Sequence, residues 1–243
     1  MKLTILGTAP GKSLRNRSHS SILVEANSYN FMVDCGEGTT QKMLNYEENY
    51  LDFIVISHLH PDHFTGIFIL IQYLYLQGRE KPLTLFVPEN EDKIRDFFTT
   101  LYVFQERLSF ELTIEIYGSN SLKKYGIEVI KNNHLNAYAS IVASNNYSNK
   151  LVSNSFYVVE SEKRALLSAD LSSVEVLEEY YSKSDVLILD GIHPQRENIF
   201  KLIKNGSTRV YVTHGYDVEL NEKFRSILNT RIRLAFENEE IIL

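Results

Sequence analysis

Three histidines and an aspartate lie within the six positions 58–63, in the stretch SHLHPDHFTG of a chain with seven histidines in all. The preceding residues DFIVIS predict a strand, and Pro61 disfavours helical backbone at His60. Side chains alternate along extended backbone, so His58 and His60 would project to the same side. Asp62 and His63 come where the chain turns into a helix and can face the same cavity. These nitrogen and oxygen donors predict a metal site, the alternative being a chance cluster in a solvated loop.

Three further candidate ligands follow predicted strands later in the chain. His134 comes after the strand 127–131, Asp170 ends the stretch RALLSAD, and His214 ends the stretch RVYVTH. One loop cannot complete the coordination of two ions, so ligands from other strand ends are required. In a layered fold these strand ends would share one edge. Taken alone, Asp170 is equally explained as a helix cap, and only the combination indicates a metal centre.

The order of the predicted elements favours one α/β domain with helices outside two sheets. Each half of the chain runs from strand-rich to mixed strand and helix. Predicted strands are 2–6, 20–25, 29–33, 52–57, 83–87, 112–116, 127–131, 138–143, 156–159, 165–168, 186–189 and 209–213. Predicted helices start after a cap at Thr39 or Thr40 and cover 62–77, 91–109, 173–181, 196–204 and 219–228. The helix 62–77 is apolar nearly all round, which predicts that it is buried.

The motifs resemble, in order, those of the metallo-β-lactamase superfamily. They are HLHPDH, a later His134, SAD with Asp170 and TH with His214. The N-terminal stretch LGTAPGKSLRNRSHSSILVEANSYNFMVDCGEGTTQKML is similar to the ribonuclease Z branch of that superfamily. The resemblance covers nearly the whole chain. It implies a four-layer αββα sandwich of the α/β class, with a single hydrolase domain over residues 1–243.

The resemblance also implies a role for each residue. It assigns His58, His60 and His134 to one ion, Asp62, His63 and His214 to a second, and Asp170 to both. The resemblance thus implies two divalent ions, and the lack of cysteine among the ligands favours Zn²⁺ first and Mn²⁺ second. Paired cations suit phosphodiester hydrolysis, and Asp62 would also orient the attacking water. The branch places a histidine like His193 beside the scissile phosphate, where it would act as a catalytic residue. The alternative is a turn histidine beside Pro194.

The chain differs from the ribonuclease Z branch in the segments that bind tRNA. That branch has a protruding arm rich in glycine and proline, whereas the 36-residue interval from His134 to Asp170 contains neither. LDGI at 189–192 replaces a HEAT-like stretch, and GYD replaces the serine and arginine expected after His214. We therefore expect a phosphodiesterase for a small or cyclic phosphodiester or a short nucleic acid. The alternatives are a tRNA 3′ endonuclease, a carbonyl-ester or lactam hydrolase, and a non-catalytic binding module.

Composition restricts the partners and the compartment. The formal net charge of −6 disfavours a broad electrostatic nucleic-acid binder. Two divalent cations would bring that charge to about −2, which leaves a phosphate substrate open. Cys35 is the only cysteine, so no intramolecular disulfide forms. The first residues have no apolar core of signal-peptide length, and we expect a cytoplasmic protein without a membrane partner.

Two predicted helical segments, 64–77 and 92–105, are unusually apolar and aromatic. Packing in the core is one explanation. The other, which the resemblance suggests, is a homodimer interface. The sequence therefore predicts a possible homodimer.

Overall fold

The computed structural model describes residues 1–204 and 206–243 and contains two β-sheets with flanking helices. The strands are β1 (Lys2–Gly7), β2 (Ser21–Ala26), β3 (Tyr29–Val33), β4 (Phe53–Val55), β5 (Leu83–Val87), β6 (Leu112–Ile116), β7 (Ile127–Lys131), β8 (Asn154–Glu160), β9 (Lys163–Leu167), β10 (Val186–Asp190), β11 (Arg209–Thr213), β12 (Ile232–Leu234) and β13 (Glu239–Ile242). The α-helices are α1 (Thr39–Met43), α2 (Pro61–Phe64), α3 (Gly66–Leu76), α4 (Glu91–Thr100), α5 (Ala139–Ser144), α6 (Glu178–Tyr181), α7 (Arg196–Ile203) and α8 (Asp217–Phe224).

The chain divides into two units, each with its own sheet. The N-terminal unit consists of Lys2–Tyr117 and Glu237–Ile241. The C-terminal unit consists of Met1, Gly118–Phe236 and Ile242–Leu243. Whether they form the single domain expected from the sequence stays a prediction.

In the N-terminal unit the strand order is β13-β1-β2-β3-β4-β5-β6. The pairs from β3 to β6 are all parallel, with Val33 opposite Val55 and Val55 opposite Phe86. Parallel strands bring their carboxyl ends to one edge of the sheet. The residues after β3 and β4, including Asp34 and His58, therefore meet at that edge. The sheet is covered by α3, whose inward residues at helical spacing join the core: Ile67, Leu70, Ile71 and Leu74.

In the C-terminal unit the strand order is β12-β11-β10-β9-β8-β7. The pairs from β9 to β12 are parallel, and β8 runs antiparallel to both of its neighbours. The carboxyl ends of β7, β9, β10 and β11 consequently share an edge. Helices α7 and α8 bury Ile199, Ile203, Leu220 and Phe224 in this unit's core. The predicted ligands of this half all follow strands that end at that edge.

The predicted helix 62–77 is interrupted, and the two resulting helices are α2 and α3. A side chain on Gly66 would lie 2.0 Å from the carbonyl oxygen of Gly36, so only glycine fits there. Its N–H donates to the carbonyl of Cys35 (2.9 Å) rather than continuing the helical pattern of α2. The predicted burial holds for one face of α3 only, since Ile69 and Leu76 on the other face are 60% and 67% exposed.

Arg79, just beyond α3, is a completely buried arginine that ties three segments of backbone together. Its Nη1 donates to the carbonyl of Glu48 (2.7 Å), and its Nη2 donates to those of Leu51 (2.7 Å) and Pro82 (2.9 Å). The guanidinium lies 5.4 Å from the ring centroid of Phe110. Burial lowers the pKa of Arg79 to about 10, so the group stays charged at neutral pH.

Several other sequence-based boundaries differ from the structure. Helix α1 is capped by Gly38 at φ 91°, so Thr39 and Thr40 lie inside the helix instead of capping it. Helix α4 ends at Thr100 because Tyr102 adopts a left-handed conformation at φ 61°. The predicted strand 138–143 is helical and exposed, in α5. Only a 3₁₀ turn and the short α6 occupy the predicted helix 173–181. Strands β12 and β13 were not predicted.

Within the described parts of the chain, the helices are too short or too polar to span a bilayer.

Candidate metal centre

The N-terminal unit brings together its four predicted ligands at the end of β4. His60 has extended backbone (φ −66°, ψ 145°), and the ring centroids of His58 and His60 lie 4.7 Å apart. Pro61 starts α2, whose first turn places Asp62 and His63 beside them. The ring of His63 lies 4.2 Å from that of His58, and its Nε2 lies 3.7 Å from Asp62 Oδ2. His58, Asp62 and His63 are buried, and His60 is half-buried.

Asp34 and Ser57 fix the orientation of two of these histidines. His63 Nδ1 lies 2.7 Å from Asp34 Oδ2, while Asp34 Oδ1 accepts the N–H of Ser57 (2.7 Å). The Ser57 hydroxyl donates to Asp34 Oδ2 (2.8 Å) and lies 3.0 Å from His58 Nδ1. Because its single proton is directed to Asp34, His58 Nδ1 must be the donor in the second contact. Both imidazoles therefore carry their proton on Nδ1 and offer the Nε2 lone pair, as ligating histidines do.

Asp34 and Ser57 are not among the site residues predicted from the sequence. The signal available in the sequence was the position of Asp34 directly after a predicted strand. In the structure Asp34 adopts a left-handed conformation (φ 60°), which is strained for a non-glycine residue. Such strain is kept where the surroundings determine the conformation, and here three hydrogen bonds to the carboxylate do so.

The C-terminal unit brings together His134, Asp170, His193 and His214. His134 begins a 3₁₀ turn after β7, Asp170 lies three residues beyond β9, and His214 directly follows β11. Asp170 Oδ2 lies 3.1 Å from His214 Nε2, 3.6 Å from His134 Nε2 and 3.6 Å from His193 Nδ1. One buried carboxylate oxygen is thus surrounded by three imidazoles.

His193 is held by Asp190, a third residue to which the sequence assigned no role. Asp190 Oδ2 lies 2.8 Å from His193 Nδ1 and also accepts the N–H of Leu171 (3.2 Å). Asp190 Oδ1 accepts the N–H groups of Ile192 (2.9 Å) and His193 (3.3 Å). The buried carboxylate therefore directs Nδ1 inward. The side chain of His193 stays 34% exposed, which leaves its other nitrogen able to meet a substrate.

Lys223 of α8 secures the loop that carries His193. Its Nζ donates to the carbonyls of Gly191 (2.6 Å), Ile192 (3.1 Å) and Pro194 (2.9 Å). Burial lowers the pKa of Lys223, and the nearby Asp190 carboxylate acts in the opposite direction. Three charge-assisted hydrogen bonds to carbonyls of one short loop restrict its movement.

The donors of both units fit a divalent metal. They are imidazole nitrogens and carboxylate oxygens, mostly buried, and the ring of His63 is oriented by a carboxylate. Without cysteine among them, this set suits Zn²⁺ or Mn²⁺.

The family of this chain follows from a match to a sequence profile. The sequence profile described as "Anti-Pycsar protein Apyc1" matches residues 1–223. The chain belongs to this family. Ribonuclease Z from Methanosarcina mazei is 36% identical to it over 103 residues, which is 42% of this chain and 34% of that enzyme. This member of the Apyc1 family thus matches only about a third of the length of that curated relative.

Solved structures confirm the fold of this Apyc1 family member. The metallo-β-lactamase fold protein YhfI from Bacillus subtilis superimposes with a TM-score of 0.73 and 18% identity, covering 99% of this chain and 98% of YhfI. Human tRNase Z, short form (ELAC1), gives a TM-score of 0.72 and 18% identity, covering 100% and 99%. The α/β class and the metallo-β-lactamase fold are therefore confirmed. The resemblance to ribonuclease Z is confirmed by the sequence identity over part of the chain.

Proposed function

We propose that this chain is a metal-dependent phosphodiesterase with two divalent ions, most simply Zn²⁺. The observation that carries the proposal is the buried Asp170 carboxylate among the imidazoles of His134, His193 and His214. The oriented histidines of the N-terminal unit supply a second set of donors. The ligands are those that the superfamily resemblance assigns: His58, His60 and His134; Asp62, His63 and His214; and Asp170 for both.

The proposed reaction is attack of a water on phosphorus with loss of an alkoxide. Two bound cations would supply Lewis-acid stabilisation and a deprotonated water at neutral pH. Asp62 would orient that water by accepting one of its hydrogen bonds. His193 would protonate the departing oxygen as the P–O bond breaks, with Asp190 stabilising the imidazolium before proton transfer. The products are a phosphomonoester and an alcohol, which remain one molecule when the substrate is cyclic.

The proposed substrate is a small or cyclic phosphodiester or a short nucleic acid. The support is the lack of a glycine- and proline-rich arm in the sequence and the net charge of −6. A ribonuclease Z-type endonuclease is the second candidate, favoured by the 36% identity to a ribonuclease Z over part of the chain. A carbonyl-ester or lactam hydrolase and a non-catalytic binding module are tested by the same experiment.

The test is hydrolysis of bis(p-nitrophenyl) phosphate, a lactam and a thioester by the purified protein with Zn²⁺ and then Mn²⁺, beside a His60→Ala variant. Phosphodiester turnover that chelation removes, metal restores and His60→Ala lacks would support the proposal. Turnover of the lactam or thioester alone would overturn the substrate class. Two bound ions without any turnover would favour a binding module, and cleavage of precursor tRNA at its 3′ end would favour the endonuclease.

Replacing His193 with alanine is expected to lower kcat about 10²-fold while the protein keeps its metal. The loss should be larger for an alkyl leaving group than for p-nitrophenolate, since the latter departs without a proton. Steady-state kinetics on both substrate types, with metal analysis, measure this. An equal loss on both would contradict the role of His193 as the proton donor.

We also propose that the chain forms a homodimer through the outer face of α3 and α4. Ile69, Leu76 and Phe97 on these two helices are 60%, 67% and 48% exposed, and a second copy of the chain would cover them. Light scattering is expected to give about twice the 28.1 kDa chain mass. Leu76→Glu should give the monomer mass, whereas Leu44→Glu, at an exposed leucine of the α1 C-terminus, should stay dimeric. A monomeric wild-type protein at micromolar concentration would contradict the proposal.

A further inference from the structure

We infer that Asn132 is a positioning residue that holds the backbone of two ligand-bearing loops in one geometry. This inference rests on the proposed metal centre, to which the loops contribute His134 and Asp170. Asn132 directly follows β7 and is buried, at 5% exposure. It is not itself a candidate ligand, since its side chain is fully engaged with other protein groups.

The Asn132 amide uses its full hydrogen-bonding capacity. Nδ2 donates to the carbonyl of Asp170 (3.0 Å) and to Ser155 Oγ (3.1 Å). Oδ1 accepts the N–H of His134 (3.2 Å) and the hydroxyl of Ser153 (2.6 Å). An amide has two donors and two acceptor positions, and all four are used here. One side chain therefore connects the main chain of two proposed ligands that lie 36 positions apart in the sequence.

The partners also determine which way the amide faces. The carbonyl of Asp170 can only accept, so it must meet the NH₂ group of Asn132. The N–H of His134 can only donate, so it must meet the oxygen. A flipped amide would set acceptor against acceptor at the Asp170 carbonyl and donor against donor at the His134 N–H. The site therefore requires an amide in one orientation, which neither a carboxylate nor an apolar side chain can replace.

The hydrogen bonds continue from Asn132 to the residue that orients His193. Ser155 Oγ donates to the carbonyl of Ser168 (2.5 Å), and Ser168 Oγ accepts the N–H of Asp190 (2.8 Å). A buried network of this kind fixes all of its members together. Disturbing it at Asn132 should thus change the arrangement of several loops at this sheet edge.

Backbone strain explains why the Asp170 loop needs such a connection. Ala169 adopts φ 46°, in the left-handed region that costs a non-glycine residue about 1 kcal/mol or more. The strained conformation turns the chain so that Asp170 follows β9 at the edge of the sheet. The hydrogen bond from Asn132 to the Asp170 carbonyl stabilises the peptide group between Asp170 and Leu171, just beyond this strained residue. Without it, a relaxed backbone at Ala169 would displace the Asp170 carboxylate.

The test is Co²⁺ binding to the metal-free full-length protein, followed by its visible absorption, for wild type, Asn132→Asp and the control Asn149→Asp. The control makes the same chemical change at an exposed asparagine of the same unit. We expect Asn132→Asp to bind at least one ion about 10- to 100-fold more weakly, with shifted ligand-field bands. The control should match wild type in both measurements. Circular dichroism establishes that each variant is folded.

Asn132→Asp with wild-type affinity and spectrum would overturn the inference. Should that variant not fold, Ser155→Ala removes one acceptor of Nδ2 and keeps the other three contacts. Shifted bands in Ser155→Ala would then support the inference, and an unchanged spectrum would overturn it. Failure of the wild-type protein to bind Co²⁺ would instead refute the metal centre of the proposed function, which separates the two failures.

Discussion

Replacing Asp170 with alanine is expected to reduce phosphodiester hydrolysis by roughly 10³-fold or more, because the metal ions supply several kcal/mol of transition-state stabilisation. Asp170 is proposed to bind both ions, and its Oδ2 lies within 3.6 Å of nitrogens from His134, His193 and His214. Its removal takes a negative charge and a shared ligand from the centre at once. The measurements are kcat/KM and the metal content per chain, which should fall below two.

The matched control is Asp96→Ala, at an exposed aspartate of α4. It should keep wild-type activity and metal content, which would exclude a general effect of losing one carboxylate. Retention of two ions and activity within tenfold of wild type by Asp170→Ala would contradict the assignment of this residue. Loss of activity with both ions still bound would indicate a role in the reaction other than holding metal.

Replacing Arg79 with methionine is expected to lower the free energy of unfolding by about 3–5 kcal/mol. Methionine is unbranched like the arginine stem but shorter and without donors, so the carbonyls of Glu48, Leu51 and Pro82 would lose a partner inside the protein. Each unsatisfied buried polar group costs about 1–3 kcal/mol. The variant should melt roughly 10 °C below wild type when followed by circular dichroism.

Arg225→Met, at an exposed arginine after α8, provides the control. A surface substitution of this kind should change the free energy of unfolding by no more than about 0.5 kcal/mol. An Arg79→Met variant as stable as this control would show that water or a rearranged loop satisfies the three carbonyls.

The strands were predicted more accurately than the helices. Strands β5, β6, β7 and β11 have the predicted boundaries because their β-branched and aliphatic residues are bounded by polar or turn residues. The segment 138–143 has similar residues but is helical, since it is exposed and the described parts of the chain offer it no strand to pair with. The break at Gly66 could not be predicted because it depends on contact with Gly36, thirty residues away.

The candidate ligands could be found from spacing and motif order, whereas the residues that orient them could not. His58 and His60 share a side because extended backbone has a period of two, a local property of the chain. Asp34 and Asn132 act through strands that become neighbours only in the folded sheets. Asp190 belongs to a stretch, LDGI, that the sequence suggested was a loss relative to the ribonuclease Z branch. In the structure it holds His193.

The break between α2 and α3 has a consequence for how this family can diversify. The backbone of Cys35 forms hydrogen bonds with both helices at the break. Its N–H donates to the carbonyl of His63 in α2 (2.8 Å), and its carbonyl accepts the N–H of Gly66 in α3 (2.9 Å). The turn that carries Asp62 and His63 is therefore anchored to the neighbouring strand end and does not depend on α3 for its position. Exchanged residues on the outer face of α3 can therefore accumulate over evolution without shifting Asp62 and His63, and new partners can be acquired on that face.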